Sequence, residues 1–206
     1  MQIASSIATT GRRSARVIRD TRAGTPRLEP IHPTHPLRAP CEQFIGARFE
    51  QAHSARISHF SPYLLGVRDA LDRWRAAAGY TPADGRRLFL EQYLDAPVER
   101  LLARYGAERE AIVEVGNLAA TSAGMGRTLI PLLARHLHRL GYEWVVFTAT
   151  RELRNAFARM GLAPLELARA DPARLPDRGA RWGTYYDSDP VVVAGRIGHA
   201  LRGAAR

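Results

Sequence analysis

The stretch from residue 112 to residue 162 constrains the fold of this chain more than any other. It reads as a short apolar strand (Ile112-Val113-Glu114-Val115), a glycine turn (Gly124-Met125-Gly126-Arg127), a helix from Thr128 to Leu140, a second strand (Trp144-Val145-Val146-Phe147) and a second helix from Arg151 to Met160. Strands alternating with helices predict an α/β sheet. Leu129, Leu132, Leu133, Leu137 and Leu140 share one face of the first helix, leaving Arg127, Arg135 and Arg139 largely off it. A glycine turn between a strand end and a helix presents unpaired backbone N–H groups and the positive end of the helix dipole, which suits a phosphate-bearing ligand. The same G-x-G spacing also serves simply to bring a helix close to a sheet.

Upstream, helical spacing at Phe44, Ile45, Phe49 and Ala52 predicts a helix within 41–60, interrupted by Ser61-Pro62. Two strands are expected at Tyr63–Val67 and Arg75–Tyr80, joined by the polar turn Asp69–Arg73, although the alanines at 76–78 would equally suit a helix. Pro97 fits the first turn of a helix whose apolar face is Val98, Leu101, Leu102 and Tyr105.

With 206 residues, 46% of them hydrophobic, the chain can bury the core of one α/β domain, expected over 41–206. Residues 1–40 have another texture. Seven arginines stand against Asp20 and Glu29, which places half of the chain's net +10 there, and five prolines after residue 25 break any helix. This segment is expected to be a flexible Arg/Pro-rich arm, and it contains no apolar run of signal-peptide type.

Every one of the 30 basic residues is arginine, so Schiff-base catalysis by lysine is excluded. The single cysteine, Cys41, excludes an intrachain disulfide and a cysteine zinc cage. His136 and His138 diverge around their helix and His32 and His35 lie among prolines, so no catalytic metal is expected. The positive charge favours polyanions, but without a basic helix carrying interleaved aromatics specific nucleic-acid binding is not expected.

The 112–162 stretch resembles the acyl-donor half of the GNAT-type N-acetyltransferases. That likeness implies a mixed, mainly antiparallel central sheet flanked by helices, and a pyrophosphate loop at Ala123, Gly124, Met125, Gly126 and Arg127. The chain departs from the pattern in three places: Thr121 stands at the leading Gln or Arg position, Thr150 at the usual Asn, and Phe157 at the usual Tyr general acid. Leu88–Asp95, Val113–Ala119 and Trp182–Asp187 together resemble the thermostable hemolysin family of bacterial proteins. No apolar run approaches the roughly 20 residues of a membrane-spanning helix, and no series of alternating ten-residue segments suggests a transmembrane barrel. The family pattern sits on the GNAT-like core and is also similar to acyl-homoserine lactone synthases.

Four residues are candidates for catalysis. Strand alternation puts Glu114 on the face opposite Val113 and Val115, where a carboxylate needs water, a partner or a reaction to serve. It is a candidate general base or one half of a structural ion pair. Glu91 is the second carboxylate, with Tyr93 on the same face if that segment is a strand; the two would either serve an amine or bond between strands. Asn117, beside a glycine that permits a bulge, is a candidate oxyanion donor or a turn-former. Trp182–Asp187 is expected to close the sheet as a strand, with Tyr185 or Tyr186 facing a substrate. The resemblances imply a cytoplasmic acyltransferase with an acyl-CoA or phosphopantetheine thioester as co-substrate, a small amine as acceptor and an acidic acyl-carrier protein as a possible partner, with no tightly bound cofactor. The alternative is a membrane-active protein whose arm binds anionic surfaces.

Overall fold

The structure, a computed structural model, describes residues 28–203, so the part of the expected arm over residues 1–27 lies outside the described residues. Seven strands form one sheet in the order β1-β2-β3-β4-β5-β7-β6: β1 is Glu29–Ile31, β2 Tyr63–Arg68, β3 Trp74–Pro82, β4 Ile112–Ala120, β5 Trp144–Ala149, β6 Leu165–Arg169 and β7 Val191–Arg196. Every neighbouring pair is antiparallel except β4 with β5. This is the GNAT-like mixed sheet that the resemblance implied.

The fold begins earlier than the expected boundary at residue 40. β1 pairs with β2, and Ile31 is buried under α1, which runs from Arg38 to His53. Arg38 donates to the carbonyls of Ser61 and Pro62, tying the start of α1 to the loop before β2. Residues 28–40 therefore belong to the folded unit, because β2 would otherwise expose an unpaired edge. The helix expected within 41–60 ends sooner, at Ser54, whose left-handed φ of 53° turns the chain away.

Three fully buried alanines, Ala76, Ala77 and Ala78, let helices approach both faces of β3. Ala77 packs with the α1 side, whereas Ala76 and Ala78 pack with α3 (Ala123–Arg139) on the other. The second face also carries α4 (Arg151–Arg159) and α5 (Ile197–Gly203). In α3, Leu129, Leu133 and Leu137 are buried as their spacing predicts, but Leu140, at the helix end, is half exposed.

Two of the motif segments are not strands. In Leu88–Asp95, where only a strand would put Glu91 and Tyr93 on one face, Phe89–Tyr93 makes a 3-10 turn, followed by the single helical turn α2 (Val98–Leu101). Trp182–Asp187 does not close the sheet; it is a loop leading into a 3-10 turn at Tyr185–Ser188, and the Val191–Val193 run supplies the strand instead. The loop is pinned at Gly183, whose φ of 52° and distance to the His53 carbonyl (2.0 Å for an added Cβ) admit no side chain. Among the described residues no helix is long and apolar enough to cross a membrane.

Candidate active site

The parallel pair β4–β5 is in register from Ile112↔Trp144 to Val115↔Phe147 and then stops, although both strands continue. Beyond that point β4 stays with β3, and β5 stays with β7 to its end. The sheet splits there. A bulge accentuates the split: Gly79 pairs with Gly116 and Ala77 with Ala119, leaving Asn117 and Leu118 opposite Ala78, with Asn117 at φ 51°.

A cavity of about 410 Å3 opens at the split and reaches both faces of the sheet. That volume lies within the roughly 300–1,000 Å3 of small-molecule sites. On the α1 face it is walled by aromatic rings, including Phe49, Phe89, Tyr93, Trp182 and Tyr185. On the α3 face its lining is aliphatic, with Phe147 and Phe157 added.

Glu114 lines this cavity from the α1 face and is 7% exposed. Its two oxygens accept hydrogen bonds from the backbone N–H groups of Phe89 (2.8 Å) and Leu90 (3.1 Å), and among the described residues no cation pairs with it. Burial pushes its pKa up to about 7, against the opposing pull of the two N–H donors, and the neighbouring Glu91 adds to the rise. The 3-10 turn at Phe89–Tyr93 is thus what aims two donors at Glu114. A carboxylate that changes charge near neutrality while facing a cavity is equipped to take a proton.

Glu91 is equally buried but differently employed. It accepts from Leu88 N (2.8 Å), Val98 N (3.0 Å) and Arg109 (2.8 Å), and Arg109 also bridges to Glu99. Burial works against its ionisation, yet the bonds from Arg109, Val98 and Leu88 outweigh it and hold its pKa below the usual range. Its side chain belongs to a separate polar depression with Arg109 and Glu99 rather than to the cavity at the split.

Tyr93 lines the cavity, and its hydroxyl lies 2.7 Å from that of Tyr186, so Tyr186 reaches the site only through Tyr93. Burial and that bond raise the Tyr93 phenol pKa far above its ordinary value. Tyr185 is a wall residue, packed edge-on against His53 at 5.3 Å. The Asn117 amide accepts from Ser61 N (2.9 Å) and donates to the His59 carbonyl (3.2 Å), an arrangement that needs Gly79 below it: an added Cβ would sit 2.8 Å from Asn117 Oδ1. The side chain therefore holds the 59–61 loop, while the bulge turns the Asn117 backbone.

The expected glycine turn is already helical. α3 starts at Ala123, capped by Ser122, whose hydroxyl accepts from Met125 N (3.3 Å). Ala123–Arg127 thus form the first turn of α3, at the open end of β4, and none of them lines the cavity. A Cβ at Gly124 or Gly126 would meet nothing closer than 3.8 Å, so close helix packing does not require either glycine. Phe157 does line the cavity, 5.2 Å from Phe147, and brings no hydroxyl there. Thr150 caps α4. Cys41 is fully buried, with its pKa pushed up to about 12 by burial, which leaves it inert.

Several wall residues carried no signal in the sequence. Phe49, His53 and His59 come from α1 and the loop after it, and only the fold brings them to Glu114's side of the sheet. Trp182 was visible as part of the late motif, but its role as a wall was not.

The chain belongs to the thermostable hemolysin family, whose sequence model matches residues 31–201. No curated protein matches it. Among solved structures it is similar to FeeM, an N-acyl amino acid synthase from uncultured soil microbes (12% identity, 85% of this chain and 93% of that one, TM-score 0.59). It is also similar to MesI, a CoA-dependent acyl-homoserine lactone synthase (18%, 87% and 94%, TM-score 0.53), and to the AHL synthase LasI (13%, 86% and 95%, TM-score 0.56). At these identities the likeness is one of fold.

Proposed function

We propose that this protein is an acyltransferase that moves an acyl group from a pantetheine thioester, carried by coenzyme A or an acyl-carrier protein, to a small amine. The observation that carries the reading is Glu114: a buried carboxylate with no counterion among the described residues, its pKa raised to about 7, facing a cavity where the sheet splits. The amine nitrogen attacks the thioester carbonyl, its proton passes to Glu114, the C–S bond breaks and the thiol leaves with a proton. The backbone at the Asn117 bulge is the candidate donor to the oxyanion, since the amide side chain is already engaged. Tyr93, with a phenol so reluctant to ionise, serves as a hydrogen-bonding wall rather than as the acid. Phe157 supplies no proton either, so the proton that Glu114 takes from the amine passes on to the leaving thiolate, directly or through water, and restores the base.

The first turn of α3 would take the pyrophosphate or phosphopantetheine phosphate, an assignment supported by glycines that packing does not demand. FeeM, an N-acyl amino acid synthase, and MesI, a CoA-dependent acyl-homoserine lactone synthase, support acyl transfer on this fold. A cytoplasmic location and an acidic carrier protein accord with this donor.

Thiol release from acyl-CoA and acyl-carrier protein in the presence of an amine panel tests the proposal. Turnover that disappears in Glu114→Gln supports it, and equal turnover in both proteins refutes the role of Glu114. In parallel, Gly126→Glu should abolish the thermal stabilisation that coenzyme A confers on the wild type, by placing a negative charge at the helix start.

A further inference from the structure

The cavity is not uniform. On the α3 face its arm runs from Leu153 and Phe157 at the split to Leu137, Val145, Ile197 and Ala200 beneath the start of β5, all within or packed against one apolar cluster. Among the described residues that line this arm, Thr150 at its mouth is the one polar side chain, and its hydroxyl is engaged in capping α4 by accepting from Leu153 N. The groups that could bind or transfer a proton, Glu114 and Tyr93 among them, lie on the opposite face, where Glu114 projects away from Val113 and Val115. Resting on the acyl-transfer reading, we infer that the donor carries an alkyl acyl chain longer than acetyl, lodged in this arm with its thioester carbonyl at the β4–β5 split.

An acetyl group would leave the arm empty, and a void lined by apolar side chains forfeits contacts that an alkyl chain would restore. A charged or hydrogen-bonding acceptor has no partner there and would be desolvated without compensation. The amine is therefore confined to the aromatic, Glu114-bearing face. The two substrates meet through the sheet, one from each side. Leu137, Ile197 and Ala200 line the arm where α3 packs on α5, so the volume of these side chains sets the room left for the chain.

The test is a series of straight-chain acyl-CoAs from acetyl to dodecanoyl, followed by binding and by thiol release. Each methylene buried in the arm should tighten binding about fourfold, the equivalent of roughly 0.8 kcal/mol, and the gain should stop once the chain outgrows the room beside Leu137, Ile197 and Ala200. Ala200→Phe should move the optimum to shorter chains, lowering the decanoyl-to-butyryl ratio of kcat/KM by tenfold or more, and Leu137→Ala should move it to longer ones. Ala200→Leu, a milder change, keeps the test available if the larger ring unfolds α5. Acetyl-CoA that binds and reacts as well as octanoyl-CoA would overturn this inference and leave acyl transfer standing. No binding by a thioester of any length would overturn both.

Discussion

Glu91 and Glu114 are buried to nearly the same degree, 5% and 7% exposed, and share one 3-10 turn, Glu91 as part of it and Glu114 as the acceptor of its N–H groups, yet their ionisation is pulled in opposite directions. Glu91 has a guanidinium against it as well as two backbone donors. Among the described residues, Glu114 has two backbone donors and no cation. Two N–H dipoles do not offset the desolvation of a full charge, whereas the addition of Arg109 does. The contrast separates a carboxylate that staples a corner of the fold from one left ready to change its charge.

The largest effect should come from removing the ready charge. Glu114→Gln keeps the shape but cannot accept a proton, so acyl transfer should fall by roughly 100-fold or more, while urea unfolding shows equal or greater stability because a desolvated charge has gone. Greatly reduced stability would mean that Glu114, too, is a staple.

The converse change is Arg109→Met. It strands Glu91 in a buried site and should cost about 2 to 3 kcal/mol of unfolding free energy, somewhat below the cost of a fully buried pair because Arg109 is partly exposed to solvent. Turnover per folded molecule should change less than tenfold. A collapse of turnover in a fully folded variant would transfer the catalytic assignment to Glu91.

pH separates the two carboxylates as well. Because the folded pKa of Glu114 is raised to about 7, the unfolded chain releases this proton first. The stability difference is absent below the ordinary carboxylate range, grows unfavourably as pH rises through it, and is fully expressed above about pH 7. Turnover should rise over the same interval as the base ionises. Glu91, held low, has the opposite sign: its contribution is present at neutral pH and is lost only as pH falls through its depressed folded pKa. Glu114→Gln should remove the neutral limb of the unfolding profile and leave the acid limb.

The smallest effect is expected at Tyr93→Phe. It breaks the 2.7 Å contact with Tyr186 and should cost about 1 kcal/mol, with turnover reduced less than tenfold. A fall of 100-fold at unchanged stability would make Tyr93 the acid after all.

Helical and strand periods along the chain determined most of the second half of the sheet and its helices, although α3 begins at Ala123 rather than Thr128, because Ser122 caps it and draws the glycine turn into the helix. Local patterning also placed Glu114 on the face away from Val113 and Val115, since alternation needs only neighbouring residues. The role of Glu91 was not legible, because its partner Arg109 lies 18 residues away and meets it only after Leu88–Asp95 turns as a 3-10 segment instead of a strand. The Trp182–Asp187 motif was visible as a motif but misread as a strand, since its conformation is set by the contact between Gly183 and the end of α1. The sequence by itself determined which charges and apolar faces exist, because those follow from residue type and period. Only the tertiary structure decided which carboxylate is paired, where the sheet splits and how deep the cavity runs, because desolvation and countercharge depend on residues that chain separation keeps apart until the fold is complete.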